Sequence, residues 1–319
     1  MAAPGPAELA AAAEAIAAAG VRRTPLVRAR ALSRELGREV RFKLECVQRT
    51  GSFKVRGAVA AVATVPEDVT VVTASAGNHG LGVAFACARL GRAAEILVPR
   101  STDPAKVDAL EAYGGAISVR VVDGTYDDTE TAAREVAAAP GRRFVSSYND
   151  AQVVAGQSTV AAESLEQWPE AEAVVVPVGG GGLLAGVALA CAGRGVAAWG
   201  VEPVRSPAMA VALREGAISR IAEEEPTAAQ GLVGNLDADS LTFPLVRDHA
   251  AGVLLASEDE ILDAVARVHA DQGIVVEPSA AAAIPRLGDV GASRIVCVLT
   301  GANVSGDVHR EIVATRGRR

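Results

Sequence analysis

The sequence predicts an α/β protein with mainly parallel sheets, and three observations carry that prediction. Short β-rich runs alternate with alanine-rich helical stretches along most of the chain, the pattern that produces right-handed βαβ units and parallel sheets. Half of the residues are hydrophobic but only 3% are aromatic, with alanine, valine and glycine prominent, which suits helices packed closely on buried strands. At 319 residues the chain exceeds the size at which one core keeps growing, so two domains around one cleft are expected.

Taken in order, residues 7–19 are alanine-rich, carry Glu8 and Glu14 and lack a basic leader, so they read as a helix rather than a secretory signal. Strand candidates follow at residues 40–44, 69–73, 94–98, 117–122, 173–178, 197–201 and 295–299. Helical stretches lie between most of them, at 80–90, 104–113, 127–139, 155–168, 183–192 and 258–272. Length rather than periodicity separates the two kinds. There is no repeat of solenoid period, and no linker rich in Pro, Ser or Gly divides the chain.

Several functional classes are disfavoured at this level. A net charge of −7 offers no footprint for nucleic acid, and the basic string Arg316-Gly317-Arg318-Arg319 reads as a solvated tail. No uninterrupted apolar run approaches the ~20 residues that a membrane span needs. Cys46, Cys87, Cys191 and Cys297 are widely spaced without a Cys-x-x-Cys pair, so they read as buried thiols of a cytoplasmic protein.

Two stretches carry chemistry. In Thr50-Gly51-Ser52-Phe53-Lys54-Val55-Arg56-Gly57-Ala58 a lysine stands among small residues at the start of a predicted helix. A crowded, partly apolar setting disfavours the ammonium form and makes the amine a nucleophile toward carbonyl carbon. The second stretch is Gly179-Gly180-Gly181-Gly182-Leu183, between a buried strand and a helix, where backbone N–H groups can approach a phosphate at the positive end of the helix dipole. The same segment, Gly180 to Ala185, also fits G-x-G-x-x-A, with Glu202 about twenty residues on, as a dinucleotide site requires. On this segment alone the two readings are equal.

The lysine string, together with Arg23-Thr24-Pro25-Leu26, Lys43-Leu44-Glu45, Ser75-Ala76-Gly77-Asn78-His79-Gly80, Ala155-Gly156-Gln157, the tetraglycine and Leu299-Thr300-Gly301-Ala302-Asn303, resembles the serine/threonine dehydratase (ammonia-lyase) family and its racemase relatives. These are fold-type II enzymes dependent on pyridoxal 5'-phosphate (PLP). The resemblance runs from about residue 23 to 304 and favours the PLP reading of the glycines over the nicotinamide one. It implies two open twisted sheets flanked by helices, with PLP in the cleft between a small domain, 68–147, and a larger one formed by 1–67 and 148–319. It also implies a homodimer acting on a small amino acid, and no regulatory domain after residue 303.

Residue by residue, the resemblance implies that Lys54 carries PLP covalently and acts as the base at Cα, with Phe53 beside it. The phosphate would rest on Gly179, Gly180, Gly181, Gly182 and Leu183. Asn78 would reach the phenolic oxygen, Thr300 the pyridine nitrogen, and Gly231 and Glu277 would lie against the ring. Ser75, Ala76, Gly77, Asn78 and His79 would surround the substrate carboxylate. The expected reaction is loss of water and ammonia from a β-hydroxy amino acid such as L-threonine or L-serine. The alternatives are β-replacement or racemisation by the same cofactor, or a nicotinamide-dependent dehydrogenase. Ala76 stands where related racemases have a serine, and has no proton to return. Glu202 matches a metal ligand of some relatives, but Pro207 and Ala208 occupy the region of the second acid, so no metal site is expected. Ser147, Ser158 and Gln230 depart from the family pattern and leave the substrate's side chain open.

Overall fold

The computed structural model describes residues 2–221 and 226–317; Arg318 and Arg319 of the basic string lie outside the described residues. Among the described residues ten strands are formed: β1 (Leu26–Arg28), β2 (Glu39–Leu44), β3 (Thr70–Ala74), β4 (Ala94–Pro99), β5 (Ile117–Val122), β6 (Arg142–Phe144), β7 (Ala173–Pro177), β8 (Ala197–Pro203), β9 (Gly252–Ala256) and β10 (Arg294–Leu299). They make two sheets, in the orders β5-β4-β3-β6 and β1-β2-β10-β7-β8-β9. Every pairing is parallel except β1 on β2, where Leu26 faces Lys43 in antiparallel register.

The chain divides into two compact units, and not at the expected points. One comprises Ala3–Arg22 and Lys54–Gly156, the other Arg23–Phe53 and Gln157–Arg319. The first unit therefore extends beyond 68–147 at both ends. The reason is apolar packing: Val55, Val59 and Val62 of the helix Lys54–Ala63 share one buried cluster with Ala12 and Ile16 of the N-terminal helix, Val83 and Ala86 of Asn78–Leu90, and Ile96 of β4. A boundary at 67 would cut that cluster.

Within the first unit β3 is central and almost wholly buried, as a strand covered on both faces must be. Its second face, with Val72 and Ala74, is covered together with Leu97 of β4 by Ala133 of the helix Tyr126–Ala137. That helix begins with a reciprocal cap, Thr125 accepting from Asp128 N while Asp128 accepts from Thr125 N.

In the second unit β7 is buried along its whole length and pairs with β10 and β8. The core joins Phe42, Val175, Val201, Cys297 and Leu299 to Ile261, Val265 and Val268 of the helix Glu258–Gln272. Ser257 and Glu260 cap that helix at one end and Gly273, at φ +66°, closes it at the other. A buried polar set, Lys43 Nζ to Glu163 at 2.8 Å and Thr24 Oγ1 to Glu45 at 2.5 Å, holds β2 to the helix Ala151–Gln167 and to the strand entry. All four cysteines are buried thiols.

Candidate active site

In the first unit the site is built around Lys54, the first residue of the helix Lys54–Ala63. Two glycines set the position of this helix. A side chain at Gly156 would come within 2.5 Å of Arg56 O and 2.6 Å of Gly57 Cα, and one at Gly82 within 3.2 Å of Lys54 C and O. Backbone thus packs on backbone at both places. Lys54 Nζ donates to the Ser147 carbonyl at 2.9 Å.

That carbonyl is itself held in place. Val145 N donates to Val72 O at 2.9 Å, and Val145 O accepts from Thr73 Oγ1 at 2.9 Å and stands 3.1 Å from His79 Nε2. Ser146 Oγ accepts from Asn149 N at 3.0 Å and closes the turn after Ser147. His79 is 3% exposed, and burial, aided by the nearby Lys54 charge, lowers its pKa to about 3. It is therefore neutral. With Val145 O as acceptor, Nε2 carries the proton, and Nδ1 is left bare and buried without a partner.

Residues 75–77 turn from β3 into the helix Asn78–Leu90, with Gly77 N donating to Ser75 Oγ at 3.2 Å. Gly80 is obligatory there, since a Cβ would lie 2.1 Å from Ser75 O. The first N–H groups of the helix have no partner within it and can hold an anion such as a carboxylate. Ser75, Ala76 and Asn78 are half-buried and Gly77 is exposed, whereas His79 is turned into the core.

In the second unit β7 runs into the glycine turn and then the helix Gly182–Cys191, whose N-cap Gly181 sits at φ +84°. Gly180 O accepts from Thr242 Oγ1 at 2.7 Å. A Cβ on Gly179 would lie 3.1 Å from Leu232 Cα, so glycine lets the two backbone segments approach. The N–H groups of Gly182, Leu183 and Leu184 have no partner within the helix.

The Thr50 and Thr300 strings, far apart in sequence, are stitched together. Phe53 N donates to Thr300 O at 3.0 Å, Ala302 N to Gly51 O at 2.9 Å, and Asn303 Nδ2 to Thr50 O at 2.8 Å. Thr300 is 4% exposed, and no hydrogen bond engages its Oγ1 among the described residues. Ser52 Oγ is buried without a partner among the described residues. Glu277 N donates to Gly301 O at 3.0 Å, and a Cβ on Gly301 would lie 2.5 Å from Glu277 Oε1, so the Glu277 carboxyl is next to the Thr300 segment. Gly231 N donates to Ser279 Oγ at 2.9 Å, so its own N–H is occupied.

Glu202 does what neither sequence reading assigned to it. Its two carboxyl oxygens accept from Met209 N and Ala210 N, both at 2.8 Å, and so cap the helix Ala208–Glu215 from outside. Burial pushes its pKa up to about 8 against those two donors. A carboxyl committed in this way is not available to a ribose hydroxyl, which removes the feature that kept the dinucleotide reading level. Sequence reasoning also missed Gly82, Thr73, Val145 and Thr242. Only Gly82 left a signal, as a second glycine two residues after Gly80 inside a helix that glycine destabilises.

Tested against PLP, each unit by itself offers groups that suit a part of it: the first an amine for the aldehyde, the second a glycine turn with N–H groups for the phosphate and an unengaged hydroxyl at Thr300 for a ring nitrogen. A lysine-centred α/β enzyme with a phosphate-type glycine turn is thereby defined. Residues 17–301 match the family model described as pyridoxal-phosphate dependent enzyme, and the chain belongs to that family, with PLP as its cofactor. The chain is 35% identical over 302 residues to an L-threonine ammonia-lyase of Thermotoga maritima, covering 92% of this chain and 74% of that one. Among solved structures it resembles the processed form of threonine deaminase isoform 2 from Solanum lycopersicum, with TM-score 0.89, 32% identity and coverage of 99% and 90%. It also resembles maize serine racemase, with TM-score 0.89, 30% identity and coverage of 98% of both chains. The two-sheet α/β architecture is that of fold-type II enzymes.

Proposed function

We infer that the protein is a PLP-dependent ammonia-lyase that converts a β-hydroxy amino acid, L-threonine or L-serine, to a 2-oxo acid and ammonia. PLP supplies, when bound, the electron sink that lets the Cα–H bond ionise. Lys54 would anchor the cofactor, and its amine, when free, would be the base for the Cα proton. The Ser147 carbonyl orients the amine of Lys54 through its hydrogen bond. The N–H groups of the glycine turn receive the phosphate, and those at the start of the helix Asn78–Leu90 receive the substrate carboxylate. Thr300 would hold the ring nitrogen with a hydroxyl, which can donate a hydrogen bond but not protonate it, a setting that would favour prompt departure of a leaving group. The water lost from Cα and Cβ is returned on hydrolysis of the released enamine, so the net products are the 2-oxo acid and ammonia.

One observation supports elimination over racemisation. At the turn into the helix Asn78–Leu90, Ala76 stands where related racemases have a serine and has no proton to return to Cα, and His79 is neutral with Nδ1 bare. Incubation with L-serine should yield pyruvate and ammonia with little D-serine; D-serine formed as fast as pyruvate would overturn the assignment. The four buried thiols support a reducing, cytoplasmic setting, and likeness to the family supports a homodimer, which light scattering would measure.

A further inference from the structure

A concavity of about 570 Å³ opens in the second unit, between the helix Arg30–Leu36, the end of β1 and the start of β2. Arg28, Arg30, Arg34 and Arg38 line it. Arg30 and Arg34 are four apart on one helix and so lie side by side, a placement that like charges disfavour. The guanidinium groups of Arg28, Arg30 and Arg34 make no hydrogen bond or ion pair among the described residues, and that of Arg38 donates only to the Leu287 carbonyl, at 3.2 Å.

The nearby carboxylates are committed elsewhere. Glu39, on the rim, holds Arg41 at 2.8 Å; Glu35 holds Arg267 at 2.5 Å; Glu172 holds Arg294 at 2.7 Å. In a chain of net charge −7, four guanidinium groups around one concavity are therefore left without a counter-charge. The volume is that of a small-molecule site. No aromatic side chain lines it, so nothing is available to stack on a base or ring. Guanidinium forks match the paired oxygens of phosphate and carboxylate.

We propose that this concavity binds a small non-aromatic polyanion, one bearing two or more phosphate or carboxylate groups, held by Arg28, Arg30, Arg34 and Arg38. Titration calorimetry on the full-length holoenzyme, with pyrophosphate and separately citrate at fixed ionic strength, tests it. PLP in place keeps the glycine turn from competing for the probe. Saturable binding of pyrophosphate alone assigns a phosphorylated ligand, of citrate alone a polycarboxylate, and of both any polyanion of this size. The double variant Arg30→Ala, Arg34→Ala should then bind about tenfold more weakly or worse, the loss expected for exposed charged hydrogen bonds. Arg194→Ala, an exposed arginine elsewhere in the unit, should bind as the parent does. Absence of saturable binding to either probe, or undiminished binding by a double variant whose circular dichroism and melting match the parent, overturns the proposal.

Discussion

Replacing Gly156 with alanine tests whether backbone-on-backbone packing is what sets the position of Lys54. The added Cβ would meet Arg56 O at 2.5 Å, Gly57 Cα at 2.6 Å and Arg56 C at 2.8 Å, all backbone atoms of the lysine helix. None of these can rotate away, so the two helices must part by roughly 1 Å to reach ordinary carbon contact distance. Overpacking of this kind costs about 1–3 kcal/mol, and rigid atoms on both sides argue for the upper end. Removing a glycine from a helix interior offsets about 1 kcal/mol of that. The net expectation is a loss of about 2 kcal/mol, or a melting temperature lower by roughly 4 °C. Because Lys54 begins the displaced helix, a shift on the order of 1 Å should also lower kcat by about 100-fold. Gly82→Ala provides the scale. Its Cβ meets Lys54 and Val55 backbone at 3.2 Å, close enough to need only a small adjustment, so its cost should nearly cancel against the gain in helix propensity. Circular dichroism melts and steady-state kinetics of both variants decide the matter. A Gly156→Ala protein as stable and as active as the parent, or a Gly82→Ala protein that is the worse of the two, would refute the reasoning.

Lys54→Ala should carry no cofactor through borohydride reduction and denaturation, and should lose about 10²–10⁴-fold in turnover from the missing base alone; retention of reduced cofactor by mass spectrometry would contradict the anchor. His79 has a folded pKa of about 3 against 6.5 in the unfolded chain, so between those values the unfolded state binds the extra proton and stability falls as pH drops from 6.5 toward 3. His79→Gln keeps a donor for Val145 O and does not titrate, so urea unfolding across that window should show a flatter curve, the difference being on the order of a few kcal/mol at the acid end. Thr300→Ala should weaken cofactor retention about 2–12-fold, the range for one neutral hydrogen bond, measured by equilibrium dialysis; unchanged retention would remove Thr300 from the ring.

Much of the architecture was legible because the buried strands are short apolar runs. The predicted strands at 40–44, 94–98, 117–122 and 295–299 each fall within a residue of β2, β4, β5 and β10 at either end. The strands that escaped notice lack that signature. β1 and β6 are three residues long, and β6 is Arg142-Arg143-Phe144, whose charged side chains read as surface until Arg142 is seen paired with Glu95 of β4. β9 lies at the sheet edge with Leu255 exposed, and follows a helix, Thr242–His249, that a proline at its third position disguises. The unit boundary was hidden for a different reason. Membership of the lysine helix depends on which cluster Val55, Val59 and Val62 join, and a run of small apolar residues does not state its partner.

The site divides along the same line. Residues whose role is local were readable: the glycine turn, the Ser75–Gly80 turn and the helix-opening lysine each declare a backbone geometry by their own composition. Roles that depend on a partner distant in sequence were not. Glu202 is the clearest case, because a buried acid about twenty residues beyond a glycine turn fits a ribose, a metal and a helix cap alike. What decides among them is the unpaired N–H groups at the start of the helix Ala208–Glu215, which that carboxyl reaches within its own unit. Pro207 and Ala208 were read in sequence as a missing second metal ligand. In the structure Pro207 is the N-cap residue of that helix and has no side-chain acceptor, so the cap must come from elsewhere. The absence of an acid at 207 and 208 and the commitment of Glu202 are thus one feature: a helix that cannot cap itself takes the carboxyl of its neighbouring strand.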